Sequence, residues 1–183
     1  MRRLLLLVLT ASAMAACGSE NQGPVAGEDL AHMEADQIAT GIEHYITRDG
    51  LRQALLRADT GYFYEGSAQV HLAVVHLTLF QGGGEESANL TAETGELNQR
   101  TEAAVARRNV VLITVDGRRI ETEELHYDPR QRRIWSDSAT VLIEEGSRLQ
   151  GTSFNANLDA QGQLRDLVLH QPRGRAQNVE IDF

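Results

Sequence analysis

Cysteine is almost missing from this chain of 183 residues, and lysine is missing altogether. With Cys17 as the single thiol, no intramolecular disulfide can staple the fold. All 17 basic residues are arginine, which by itself points to no function. Positive charge is also short: 26 acidic residues leave a formal charge of −9, and nucleic acid, which needs a basic face, is excluded as a partner. Long apolar runs are absent too. The stretch Leu4–Ala16 falls well short of the ~20 apolar residues that a membrane-spanning helix needs. No nucleophile motif, phosphate-binding glycine loop or dinucleotide fingerprint is present, so the sequence offers no enzyme and no cofactor.

Metal chemistry fares no better. His32, His44, His71, His76, His126 and His170 lack familiar ligand spacings, and His71 and His76, five apart, fall on opposite faces of an uninterrupted strand unless a bulge intervenes. The pairs Glu85-Glu86, Glu123-Glu124 and Glu144-Glu145 suggest acid–base carboxylates at first sight. Neighbours along a strand point apart, however, and these read as solvated edges.

What is present begins with an export signal over residues 1–16. Arg2 and Arg3 form its basic start, Leu4–Thr10 its apolar centre, and Met14-Ala15-Ala16 a small-residue approach to Cys17. The tract Met14-Ala15-Ala16-Cys17 resembles a bacterial lipobox, which makes Cys17 the expected acylated residue and lipid anchor. Burying acyl methylenes contributes roughly 0.8 kcal/mol each, so two or three chains hold a domain on a membrane firmly. The competing reading is ordinary secretory cleavage that leaves an incidental thiol. Residues 17–40 then read as a tether and lead-in, small and polar up to Gly27, and residues 41–183 as one periplasmic domain.

Inside that domain the pattern is that of strands. Val70, Leu72 and Val74 alternate on even numbers, then Val75, Leu77 and Leu79 on odd ones, so an extra residue near Val74 predicts a bulge or bend. Gly82-Gly83-Gly84 ends this run, and Asp116-Gly117, Asp128-Pro129 and Glu145-Gly146 mark further turns. An internal repeat runs beneath. Adding thirty to the numbers of Leu90, Ala92, Leu97, Asn98, Val105, Val111 and Ile113 gives Ile120, Thr122, Tyr127, Asp128, Trp135, Val141 and Ile143. Ala58-Asp59-Thr60-Gly61 likewise matches Ala92-Glu93-Thr94-Gly95, and Leu149-Gln150-Gly151 matches Ile120-Glu121-Thr122. Such β units cannot bury an apolar face alone, so they must stack, and the expected class is an all-β roll or sandwich with an apolar interior.

At this point a family resemblance enters. Leu90-Thr91-Ala92, Val110-Val111-Leu112 with Asp116-Gly117, the run Ile120–Asp128, Ile134-Trp135-Ser136-Asp137, Val141-Leu142-Ile143 and Gly151 occur in an order and spacing that resemble the LptC family, the periplasmic bridge of lipopolysaccharide export. The resemblance spans roughly Ile42–Leu169. It implies an antiparallel β-jelly-roll of OstA-like type, open along one side, whose apolar interior holds the acyl chains of lipopolysaccharide. It also implies the partners: lipopolysaccharide, an inner-membrane ABC transporter complex that delivers it, and a soluble periplasmic β-roll protein that receives it. Family members usually keep an uncleaved transmembrane helix, whereas here a short apolar stretch ends at Cys17. The inner membrane is implied for the anchor, with the outer membrane left open. An adaptor lipoprotein that binds only protein, and a carrier of another lipid, are the rival readings.

The residues expected to face the lipid are Val70, Leu72, Leu90, Leu97, Val111, Ile113, Val141 and Ile143. The same residues would serve an ordinary dry core, and because Val110 and Leu112 are also apolar, parity does not choose the inward face of that strand. Arg107-Arg108, Arg118-Arg119 and Arg130–Arg133 stand near turns, where they meet either lipid phosphates or water. Val179, Ile181 and Phe183 alternate at the C-terminus; that strand either pairs with a partner roll by β-augmentation or seals its own sheet.

Overall fold

Short runs of β-branched and apolar residues, separated by glycine, aspartate and asparagine turns, build strands along the whole domain. The computed structural model describes residues 35–48, 50–81, 84–159 and 163–175. Twelve strands occur among them: β1 (Gln37–Arg48), β2 (Leu51–Phe63), β3 (Gln69–Phe80), β4 (Glu86–Asn98), β5 (Ala104–Thr114), β6 (Arg119–Asp128), β7 (Arg133–Ser136), β8 (Thr140–Glu144), β9 (Ser147–Gly151), β10 (Ser153–Leu158), β11 (Leu164–His170) and β12 (Arg173–Arg175). All pair antiparallel in one sheet, and no helix is found among the described residues. The strands begin at Gln37, ahead of the domain start expected at residue 41. Ile38 on this outermost segment is 60% exposed, so burial leaves little alternation there for the sequence to show.

The sheet has a crease. The inward residues change parity in β2, β3, β4 and β6: Leu56 and Ala58 give way to Gly61 and Phe63, Val70 and Leu72 to Val75 and Leu77, Leu90 and Ala92 to Gly95 and Leu97, and Ile120 to Leu125; in β5 an extra residue at the same place cancels the change, and Ala106 is followed by Val110 and Leu112. The switches lie in one row, Gly41–Asp59–Val74–Glu93–Arg108/Asn109–Glu123, by the strand register. Gly41, Val74, Arg108 and Asn109 there have φ of 63°, 54°, 63° and 50°. The irregularity expected at Val74 is present, but it belongs to the whole row, so β2, β3 and β4 stay in register through it. Both sides of the crease deliver side chains to a single core, which requires the sheet to fold back on itself like a half-closed book.

Beyond β6 the crease becomes a split. The first half of β6 pairs with β8, which continues to β9 and β12, while its second half pairs with β7, which continues to β10 and β11. Three hydroxyls close the branch point: Thr122 Oγ1 is 2.8 Å from Ser136 Oγ, and Thr140 donates to Thr122 and to the Ser138 carbonyl, so these buried polar groups are satisfied. The first half-sheet carries the ladder Leu56–Leu77–Leu90–Leu112–Ile120–Leu142–Leu149, and the second carries Phe63–Val70–Leu97–Ala104–Tyr127–Ile134–Ala156. The internal repeat is thus the hairpin itself. Leu90 and Ile120 stand two strands apart on one ladder, as do Ala58 and Ala92, and Ile120 and Leu149. The Glu145-Gly146 turn has φ of 46° and 80°, as a two-residue hairpin with both central residues left-handed requires.

Candidate functional site

Between the two half-sheets the side chains leave a slot of about 150 Å³, lined by Leu77, Leu79, Leu90 and Leu112 from one side and by Leu72, Leu97, Ala106, Leu125, Tyr127, Ile134, Leu158 and Leu164 from the other. The row Gly61–Leu72–Gly95–Ala106–Leu125 runs beside the crease, and its small members make room for the large ones. At Gly61 a β-carbon would come within 2.3 Å of Ile42 Cδ1. Such spacing lets side chains cross from one half-sheet toward the other without filling the space between them.

A wider groove of about 510 Å³ runs along β1. Ile42, Ile46, Leu56, Phe63, Val70, Leu72 and Leu97 line it, and His44, Asn98, Gln99 and Glu102 add polar groups. Ile46, Leu56, Leu72, Leu97 and Glu102 border both cavities, which therefore adjoin. Among the described residues β1 has a pairing partner on one side only, β2, and they leave the roll open along this flank. At the other end of the slot the two half-sheets are pinned together: Gln163 Nε2 donates to Gln81 Oε1 at 2.5 Å, joining the tip of β3 to the β10–β11 turn. The arrangement is an apolar sleeve with a side opening, suited to aliphatic chains whose polar end stays in water.

Four of the eight expected lipid-facing residues lie here. Val70 and Leu72 border the groove, and Leu72, Leu90 and Leu97 border the slot. The other four do not. Val111, Ile113, Val141 and Ile143 point to the outer face, where they sit opposite Glu121 and Arg119, and Ile113 is 42% exposed. The inward residues of these strands are Val110, Leu112 and Leu142. The physical reason is the crease: Ala106 and Val110 both face inward with three residues between them, and the strand register slips by one at Arg108-Asn109, where two left-handed residues stand in succession. The doubly apolar run Val110–Ile113 conceals that slip. Leu77 and Leu79 were legible as continuing the alternation of β3, whereas Leu125, Ile134, Leu158 and Leu164 had no signal that separated them from core. Cys17, His32, Val179, Ile181 and Phe183 lie outside the described residues.

Outside the sleeve, the charged residues are largely paired with one another. Arg107 donates to Glu96 at 2.5 Å and to Glu124 at 2.7 Å, and Glu124 reaches His126 Nε2 at 2.5 Å, whose ring stacks on Trp135 with centroids 5.0 Å apart. The Arg107 guanidinium, then His126, hold the Glu124 carboxyl below its ordinary value against the opposing effect of burial. His71 and His76, on opposite faces of a regular strand, are both brought to the outer face by the bend at Val74. Among the described residues no group of three histidines, cysteines or carboxylates is placed to hold a metal ion.

The family described as lipopolysaccharide-assembly, LptC-related, matches residues 4–164, most of the chain. The chain belongs to this family. Its LptC-related membership makes it a protein of periplasmic lipopolysaccharide transport, in a family of transport bridge proteins rather than enzymes. No curated protein matches its sequence. Among solved structures it is similar to LptH from Pseudomonas aeruginosa, described as the LptA-homologous periplasmic component of the conserved lipopolysaccharide transport device, at 14% identity and a TM-score of 0.46 over 64% of this chain and 94% of that one.

Proposed function

We propose that this LptC-related chain accepts lipopolysaccharide from an inner-membrane ABC transporter complex and passes it to a soluble periplasmic β-roll partner, sheltering the acyl chains in the slot as they move. The observation that carries the reading is the apolar slot that adjoins an open groove along β1. A protein that only tied partners together would need neither the space between its half-sheets nor the open flank. Excluded apolar area contributes roughly 25 cal/mol per Å², so an acyl chain gains several kcal/mol by entering, with no polar partner required. Acylated Cys17 holds the chain on the membrane, and the terminal segment with Val179, Ile181 and Phe183 supplies the edge that pairs with the receiving roll.

Site-specific photocrosslinking tests this in cells that make lipopolysaccharide. A photoreactive residue at Leu79 or Leu97, inside the slot, is expected to capture lipopolysaccharide, and one at Ile113 or Ile143, on the outer face, is expected not to. Adducts to protein alone from the slot positions would establish the adaptor reading in its place.

A further inference from the structure

Most arginines near the sleeve are neutralised by the domain's own carboxylates: Arg57 by Glu43, Arg107 by Glu96 and Glu124, Arg118 by Asp116, Arg119 by Glu121 and Arg165 by Asp159. Of the basic groups that looked suited to lipid phosphates, Arg107, Arg118 and Arg119 are thus occupied. Arg52 differs from these. Among the described residues its guanidinium meets no carboxylate, and it lies instead over two rings, 4.8 Å from the centroid of Tyr45 and 5.3 Å from that of Phe80. Tyr45 lines the groove, Phe80 lines the slot, and so do Gln53 and Ala54, the next two residues of β2. Arg52 is itself exposed and stands beside lining residues of both cavities, where the apolar lining meets water.

Stacking on aromatic faces restrains the guanidinium while leaving its in-plane N–H donors free for an anion. An amphiphile whose chains fill the slot must carry its head where the apolar lining meets water. The geometry points to Arg52 as a binding site for a phosphate group on the head of the bound lipid, an inference that rests on the slot being the acyl-chain site proposed above. Arginine suits this because its planar fork can give two parallel hydrogen bonds to one phosphate, which a lysine in the same place could not.

The test compares the full chain with Arg52→Gln, Arg52→Lys and, as a control on the paired outer face, Arg148→Gln. Three competitors displace a fluorescent fatty acid: a diacylglycerol phosphate, the same diacylglycerol without phosphate, and inorganic phosphate. Loss of the charged hydrogen bonds should weaken the phosphorylated lipid by about tenfold in Arg52→Gln. The neutral lipid should be unchanged, Arg52→Lys should fall between, and Arg148→Gln should match the unaltered chain. An equal effect on both lipids, or none on either, overturns the assignment. If inorganic phosphate blocks the phosphorylated lipid at comparable concentration, the site takes free phosphate and the lipid-head assignment fails. If neither lipid displaces the probe from the unaltered chain, the acyl-chain site itself is wrong, a result distinguishable from failure at Arg52.

Discussion

Val74 is the residue whose local chemistry is least at ease. A β-branched side chain at φ of 54° crowds its own backbone, and Val74 is 43% exposed, so burial compensates little. Val74→Gly is expected to raise stability by about 1 kcal/mol in urea unfolding, since glycine adopts this conformation freely. A loss of stability would mean that Val74 holds the crease by packing. The paired carboxylates make a different prediction. Glu124 is held below its ordinary value by Arg107 first, and Asp116 at about 2 by Arg118 and then Thr114. A carboxylate whose folded value is depressed stabilises the fold fully above its unfolded value, and that contribution is lost as pH falls toward the folded value. Stability should therefore decline from about pH 5 downward. Because Arg107 is 38% exposed, solvent screens its pairs, and Arg107→Met should cost about 1 kcal/mol at pH 7 and much less at pH 3. A cost that stays constant across that range would count against the network.

At the level of the strand, the question is which face looks inward. Leu112 is 2% exposed and stands between Leu90 and Ile120 on the inner ladder, whereas its neighbour Val111 lies between Thr91 and Glu121 on the outer face. Leu112→Ala is expected to cost 2–4 kcal/mol, roughly the range for truncating a buried leucine, and Val111→Ala less than about 1. Reversed costs would return the inward face to the parity first read for β5. β6 shows how one strand serves both halves: Ile120 and Thr122 join the branch through β8, and Tyr127 the branch through β7. Its two ends are thus tied to different half-sheets, and the buried hydroxyls of Thr122, Ser136 and Thr140 secure the place where they part.

For the molecule as a whole, function depends on where the sleeve is held and what it holds. If Cys17 is acylated, Cys17→Ser should move the chain from the membrane to the soluble fraction and abolish metabolic labelling with a fatty acid, leaving the folded domain intact. Membrane retention of the unlabelled variant would show that another segment anchors it. Much of the fold was legible in the residues themselves. The thirty-residue offset from Leu90 to Ile120 and from Val111 to Val141 revealed stacked hairpins, the turn chemistry located their ends, and the parity change at Val74 announced the bend. Alternation is a local property and survives in the sequence wherever one face is buried. What tertiary structure alone decided was the facing of β5 and β8 and the shape of the space inside. Val110–Ile113 and Val141–Ile143 are apolar on both faces, so the orientation of β5 depends on the register slip at Arg108-Asn109 and that of β8 on its pairing with β6, which sets Leu142 opposite Ile120. The slot likewise depends on two half-sheets approaching across a crease, and no single strand encodes the distance between them.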